Sequence, residues 1–291
     1  MELPPKPKDV PSLEYIRILT PYVFAYPVAV GKPVLDVGCS SGYGSWLLVN
    51  KGAERTVAID LDTAKVSQAF QFGASSQNLS VLVMDAQNLG FKEQYFQIAT
   101  YFEIIEHVRR PDKLLAEIRR VLRQDGLLIL TTPNRAVRLR PLQRPRNPDH
   151  LREYSLKALQ RQLENQFPSF EILGIYGEPK THEFYRNRWR QRIFNAYFGW
   201  ALSKMKFFLQ ILLKKGTKDL LLRNAFNKST DSDSDLLHRA IPAPEPKFWP
   251  FYLSDVQEDC LNFLAVCGFN DQIVQKAVRQ IKQLSCRSFQ S

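Results

Sequence analysis

The sequence predicts an α/β protein built on a mostly parallel sheet, with a helical insertion late in the chain. Three observations carry that expectation. Short apolar runs alternate with amphipathic helical patterns. The runs are apolar throughout, as strands covered on both faces are. Polar residues stand at the C-terminal ends of four of them. In chain order the strands are PVLDV (33–37), TVAID (56–60), LSVLVM (79–84), QIATYF (97–102) and LLILTT (127–132). Helical patterns fill 42–51, 62–74 and 111–124. In the last of these, Pro111 suits a first helical turn, Leu114, Leu115, Ile118, Val121 and Leu122 recur at helical spacing, and Gly126 follows as a stop. Such alternation closes through right-handed crossovers into a parallel sheet. A helix from Ser155 to about Gln166, capped by Ser155, and a strand over 171–176 continue the pattern. CLNFLAVC (260–267) is one more apolar strand.

Composition bounds the rest. With 291 residues, 44% hydrophobic and 24% charged, the chain is long and apolar enough for a packed core, which excludes a wholly disordered protein. Four scattered cysteines, with no C-x-x-C pair, exclude a disulfide framework, a zinc ribbon and a thioredoxin-type motif. The opening MELPPKPKDVPSLEY has no apolar core of signal-peptide length, and the longest apolar stretch, 193–213, is broken by Lys204 and Lys206. The chain reads as soluble and cytoplasmic. Four segments are expected: an N-terminal extension (1–30) with a short helical patch around Leu13 to Leu19, a core (31–177), a basic helical insertion with a flexible loop (178–254), and a final core strand with a C-terminal tail (255–291). Net charge is +11, and from Lys180 to Arg223 eleven basic residues face only Glu183 and Asp219, so most of the excess lies in the insertion.

The chemistry is concentrated at the strand ends. VLDVGCSSGYGSWLL (34–48) places Gly38, Gly42 and Gly44 between the first strand and a helix. Glycines there let the chain turn sharply and a ligand approach the backbone. The spacing is not G-x-G-x-x-G, which counts against a nicotinamide dinucleotide. Asp60 ends the second strand, where a carboxylate can accept two hydrogen bonds from a ribose diol. Asp85 ends the third strand and Glu103 the fourth. Together with YFEIIEHV (101–108) and EIRRVLRQDGLLILTTPN (117–134), this ordered series resembles the class I S-adenosylmethionine-dependent methyltransferases, of the type 11/23 kind. The resemblance covers about residues 13–177 and returns near 254–267.

That resemblance implies a Rossmann-like sheet of seven strands, the last antiparallel, and S-adenosyl-L-methionine as cofactor. It also implies a site along Asp36, Gly38, Cys39, Ser40 and Gly42. Asp60 would hold the ribose, Leu61 would flank the adenine, Asp85 and Ala86 would read its amino group, and Phe102 and Glu103 would line the transfer face. Ser40 stands where the family often has glycine. The expected reaction is methyl transfer to an oxygen, in preference to a nitrogen, of a small-molecule, glycan or lipid-linked acceptor. The rivals are RNA methylation through the basic insertion and a non-catalytic cofactor-binding module.

Two histidines are candidate bases, because imidazole titrates near neutrality. His107 follows the fourth strand, and the competing reading is a residue merely opening the next helix. His150 lies in PDHLREYSLKALQRQLE (148–164), where related methyltransferases bring an H-x-x-x-Y segment to the acceptor side, or it simply precedes a helix. Glu103, Glu106 and His107 form E-x-x-E-H, which resembles a motif of ubiquinone-pathway and small-RNA methyltransferases, some of which bind a metal there. No required metal is expected here. Within 185–215 apolar residues at helical spacing lie between arginines and lysines. Three readings compete: a cap over the cleft, a helix resting weakly on a membrane surface, and an RNA-binding face. Nucleic acid is the least favoured partner, and the oligomeric state is left open.

Overall fold

A computed structural model describes residues 3–6, 12–73, 76–139, 143–145, 147–187 and 250–287. The chain divides into two units, Met1–Glu178 with Pro244–Ser291, and Pro179–Ala243. In the second unit the described residues, 179–187, are helical. The readings of 185–215 therefore fall, from residue 188 onward, outside the described residues.

The first unit carries an eight-stranded mixed sheet. Its strands are β1 (Pro33–Val37), β2 (Arg55–Asp60), β3 (Leu79–Val83), β4 (Phe96–Phe102), β5 (Leu122–Pro133), β6 (Ser169–Gly177), β7 (Phe251–Asp255) and β8 (Asn262–Gly268). They lie in the order β3-β2-β1-β4-β5-β8-β6-β7. From β3 to β5 the pairs are parallel, and β8 is antiparallel to both β5 and β6. The order reverses at β1, the switch point at which open α/β sheets form their ligand crevice. The eighth strand is β7, which pairs antiparallel with β6 at the edge. It comes from residues expected to end the insertion: Phe251 and Leu253 alternate inward with Ser254 outward, a signal too short to separate from the proline-rich run before it.

Helices α1 (Ser12–Ala29), α2 (Tyr43–Asn50), α3 (Thr63–Gly73), α4 (Pro111–Val121), α5 (Arg135–Arg138), α6 (Leu156–Glu164) and α7 (Asp271–Arg287) complete this unit. Two of them correct the sequence reading. The N-terminal segment is an 18-residue helix that continues through Pro21 and Pro27, where each ring removes a backbone donor. Burial of Leu19, Val23, Phe24 and Val28 offsets that loss, so α1 belongs to the core and is not an extension. The C-terminal tail is a helix begun by Asn270, whose side chain accepts from the Gln272 N–H at 2.8 Å, and it buries Val274, Ala277, Val278 and Ile281. Strand β3 also departs from the expectation of two covered faces. As an edge strand it leaves Leu82 and Val83 exposed. None of the helices among the described residues is long and apolar enough to cross a membrane.

Candidate active site

The loop from β1 to α2 turns on residues in the left-handed region. Gly42 has φ +81°, and a Cβ there would lie 2.7 Å from the Ala69 Cβ on α3. Ser40 adopts φ +50°, a conformation that costs an L-residue about 1–2 kcal/mol. This strain accounts for the glycine that the resemblance implies at the position of Ser40. Its N–H donates to Asp60 Oδ2 at 2.9 Å, which ties the loop to the end of β2. The other Asp60 oxygen accepts from the Asp62 N–H at 3.0 Å. Each carboxylate oxygen keeps a second lone pair for a ligand hydroxyl.

Asp36 lies deeper than the other residues of this loop. It is fully buried beneath the loop, not at its surface. Ser45 Oγ donates to it at 2.5 Å, Thr100 Oγ1 at 2.7 Å and the Tyr22 phenol at 3.2 Å. Burial pushes its carboxyl up to about 6, against the lowering effect of those three donors. Burial, and then the nearby Asp36, likewise push the Tyr22 phenol well above its usual range. Asp36 therefore knots α1, β1, α2 and β4 together beneath the loop. Gly44 belongs to the same knot, because a Cβ there would sit 2.0 Å from the Tyr22 ring. The Cys39 side chain packs among Ala58, Ala69 and Leu79, so only its backbone lines the loop.

The other strand ends line up along the same edge. Leu61 is 65% exposed just after β2, and Val83 is 53% exposed at the end of β3, two apolar side chains left bare beside the acidic groups. Their placement fits the adenine ring that the resemblance implies, with Asp60 in reach of a ribose. Asp85 is exposed, its Oδ1 accepts from the Gln87 N–H at 2.8 Å, and Ala86 is half-buried next to it. Phe102 stands edge-on to Tyr22, with ring centroids 4.7 Å apart. Glu103 has φ +56°, and its N–H reaches the Thr131 carbonyl at 3.0 Å. Strained non-glycine backbone of this sort is held by its surroundings and gathers at functional sites. Thr131 Oγ1 and Asn262 Nδ2 both donate to Glu103 Oε1, at 3.0 and 2.9 Å, and Arg17 from α1 approaches Oε2 at 3.8 Å.

The structure brings the two candidate histidines together. The His107 and His150 rings meet edge to face, their centroids 4.6 Å apart. His107 Nδ1 lies 2.9 Å from the Asp149 carbonyl oxygen. Burial, and then the charge of a protonated His150, hold the His107 imidazole below its ordinary range. Glu106 is fully buried; Thr132 Oγ1 donates to one of its oxygens at 3.0 Å, and its Oε1 has no partner among the described residues. Burial, and then Glu103, push Glu106 well above the usual carboxylate range. Glu106, His107 and His150 bring donor atoms within 4.8 Å of one another, a set of a kind that can hold a divalent cation. Glu103, considered for such a set on sequence spacing, is instead occupied by Thr131, Asn262 and Arg17. Sequence reasoning missed Tyr22, Arg17, Thr131 and Asn262, because no local motif marks residues that reach the edge from distant parts of the chain.

Comparisons with known proteins bear on this edge. Residues 35–130 match the family model described as a methyltransferase domain. The chain is 26% identical, over 60% of its own length and 63% of the relative's, to a probable S-adenosylmethionine-dependent methyltransferase of Mycobacterium tuberculosis. It thus spans less than two thirds of that relative. It is 27% identical to the ubiquinone biosynthesis O-methyltransferase of Glaesserella parasuis, over 60% of this chain and 83% of that one. Among solved structures, the YcgJ protein of Bacillus subtilis shares the fold, with a TM-score of 0.50 at 17% identity over 86% of this chain and 99% of that one. Residues 35–130 thus carry a methyltransferase domain, and in sequence the chain is similar to S-adenosylmethionine-dependent methyltransferases.

Proposed function

We propose that the protein transfers the methyl group of S-adenosyl-L-methionine to an oxygen, in preference to a nitrogen, of a small-molecule, glycan or lipid-linked acceptor. The cofactor supplies an electrophilic methyl group when bound. Asp60, Leu61, Asp85, Ala86 and the loop Gly38–Gly42 would hold it, with Asp36 supporting the loop from below. One observation carries the choice of oxygen. His107 Nδ1 rests on a carbonyl oxygen, which only accepts, so the ring proton sits on Nδ1 and the neutral ring keeps its lone pair on Nε2. A hydroxyl acceptor must lose a proton as the new O–C bond forms, and a neutral imidazole next to the transfer face suits that task. Holding His107 below its ordinary range keeps it in the neutral form near pH 7.

The test offers methyl-labelled cofactor together with polar, lipid and RNA fractions of a cell extract. Label in the polar or lipid fraction, cut by about 100-fold or more in His107→Ala while S-adenosylhomocysteine affinity is retained, supports the reading. Label in RNA alone favours the nucleic-acid rival. Binding of S-adenosylhomocysteine with no label anywhere favours a non-catalytic module. Weak contact of 185–215 with a membrane surface accompanies the proposal, for a protein placed in the cytoplasm. Flotation with phosphatidylserine vesicles that fades with salt is its signature, and absence of flotation at low salt rejects it.

A further inference from the structure

Behind the two histidines stands a third group that no motif marks. Glu153 follows His150 by three residues, and the two side chains are 1% and 6% exposed. Glu153 Oε1 lies 3.3 Å from His150 Nδ1 and 3.6 Å from Arg138 Nε, at the end of α5. A buried carboxylate needs a compensating charge or hydrogen bonds, and these two neighbours supply both. Facing an acceptor oxygen, a neutral imidazole carries its proton on that nitrogen and leaves its lone pair on the other.

The backbone around the pair is rigidly tied. The Leu151 and Arg152 N–H groups donate to the Glu106 carbonyl at 2.9 and 3.3 Å. The Arg152 guanidinium donates to the carbonyls of Ile105, Val108 and Arg109. The loop bearing His150 and Glu153 is thereby stapled to the loop bearing His107.

We propose that Glu153, held by Arg138, is a positioning residue that fixes His150 as its Nδ1–H tautomer, so that both histidines present bare Nε2 nitrogens at the acceptor side. The use of those nitrogens rests on the methyl-transfer reading; the tautomer does not. When the acceptor O–H bond breaks, its proton forms a new N–H bond at Nε2. The imidazolium left behind points its Nδ1–H at an oxygen of Glu153 or Asp149, which stabilises the charge.

The full chain, labelled with 15N-histidine, tests this through long-range 1H–15N spectra at neutral pH. Wild-type His150 is expected as a single Nδ1–H tautomer. Glu153→Gln, whose amide oxygen still accepts, keeps it, and Glu153→Leu loses it in favour of Nε2–H. S-Adenosylhomocysteine affinity stays unchanged in both variants, which shows that the fold survives. A wild-type spectrum with the proton on Nε2 overturns the proposal, and this needs no variant to fold. So does a folded Glu153→Leu protein that keeps Nδ1–H. A wild-type protein with the expected tautomer but no affinity for S-adenosylhomocysteine would sink the methyl-transfer reading and leave the positioning role standing.

Discussion

Asp36 titrates where few carboxyls do, and replacing it with asparagine isolates that effect. Buried under the loop, it has its folded pKa raised from 3.8 to about 6. The unfolded chain releases that proton near the ordinary value of about 3.9. Between those two values the folded protein holds a proton that the unfolded one has lost, so stability falls as pH rises from about 4 to about 6. Below this window the group is protonated in both states, and above it in neither, so its contribution to the slope ends at both limits. At about 1.4 kcal/mol per pKa unit, a shift of roughly two units amounts to about 3 kcal/mol. In Asp36→Asn the titration is gone, and the hydroxyls of Tyr22, Ser45 and Thr100 can turn to serve an amide, at a constant cost. Urea unfolding at pH 4 to 7 measures the difference. Wild-type stability minus that of Asp36→Asn should decline by about 3 kcal/mol over pH 4 to 6 and then level off, since other groups shared by both proteins cancel. A difference that stays flat, or rises over that window, refutes the assignment of a raised pKa to this carboxyl.

Asp60→Ala removes the acceptor for a ribose diol, a contact worth about 1.5–3 kcal/mol. Calorimetry should find S-adenosylhomocysteine bound about tenfold or more weakly, and wild-type protein that ignores S-adenosylhomocysteine but binds NAD would contradict the methyl-transfer reading. Ser40→Gly relieves the left-handed strain at φ +50° and should stabilise the fold by about 1 kcal/mol in urea melts; a loss of stability would mean that its side chain matters more than its backbone. Protein stripped with EDTA should take up no stoichiometric manganese, and labelling of the acceptor should be unaffected. Equimolar uptake that is lost in Glu106→Gln, His107→Ala and His150→Ala would instead make those three side chains ligands.

Much of this edge is legible in the sequence. Gly38, Gly42, Asp60, Asp85 and Glu103 each follow an apolar run, and a parallel sheet must deliver the C-terminal ends of such runs to one side. The start of the helix at Pro111 was equally plain, because its apolar stripe and its proline coincide, but it ends at Val121, and Leu122 and Gly126, expected as its last turn and its stop, lie in β5. Periodicity showed only the first turns of α1, around Leu13 to Leu19, since Pro21 and Pro27 break the local signal and only burial against the sheet restores the rest of the helix. Nor could it show that Asp36 lies beneath the loop, because an acidic residue inside a strand reads the same whether its partners are ligand hydroxyls or Tyr22, Ser45 and Thr100. His107 and His150 lie 43 positions apart in the chain, and whether they are alternatives or neighbours is a question of chain closure. Arg152 answers it by binding three carbonyls of the other loop. Local pattern sets which groups reach the edge; partners that meet only after folding set their protonation, tautomer and exposure, because hydrogen bonds and desolvation act through space.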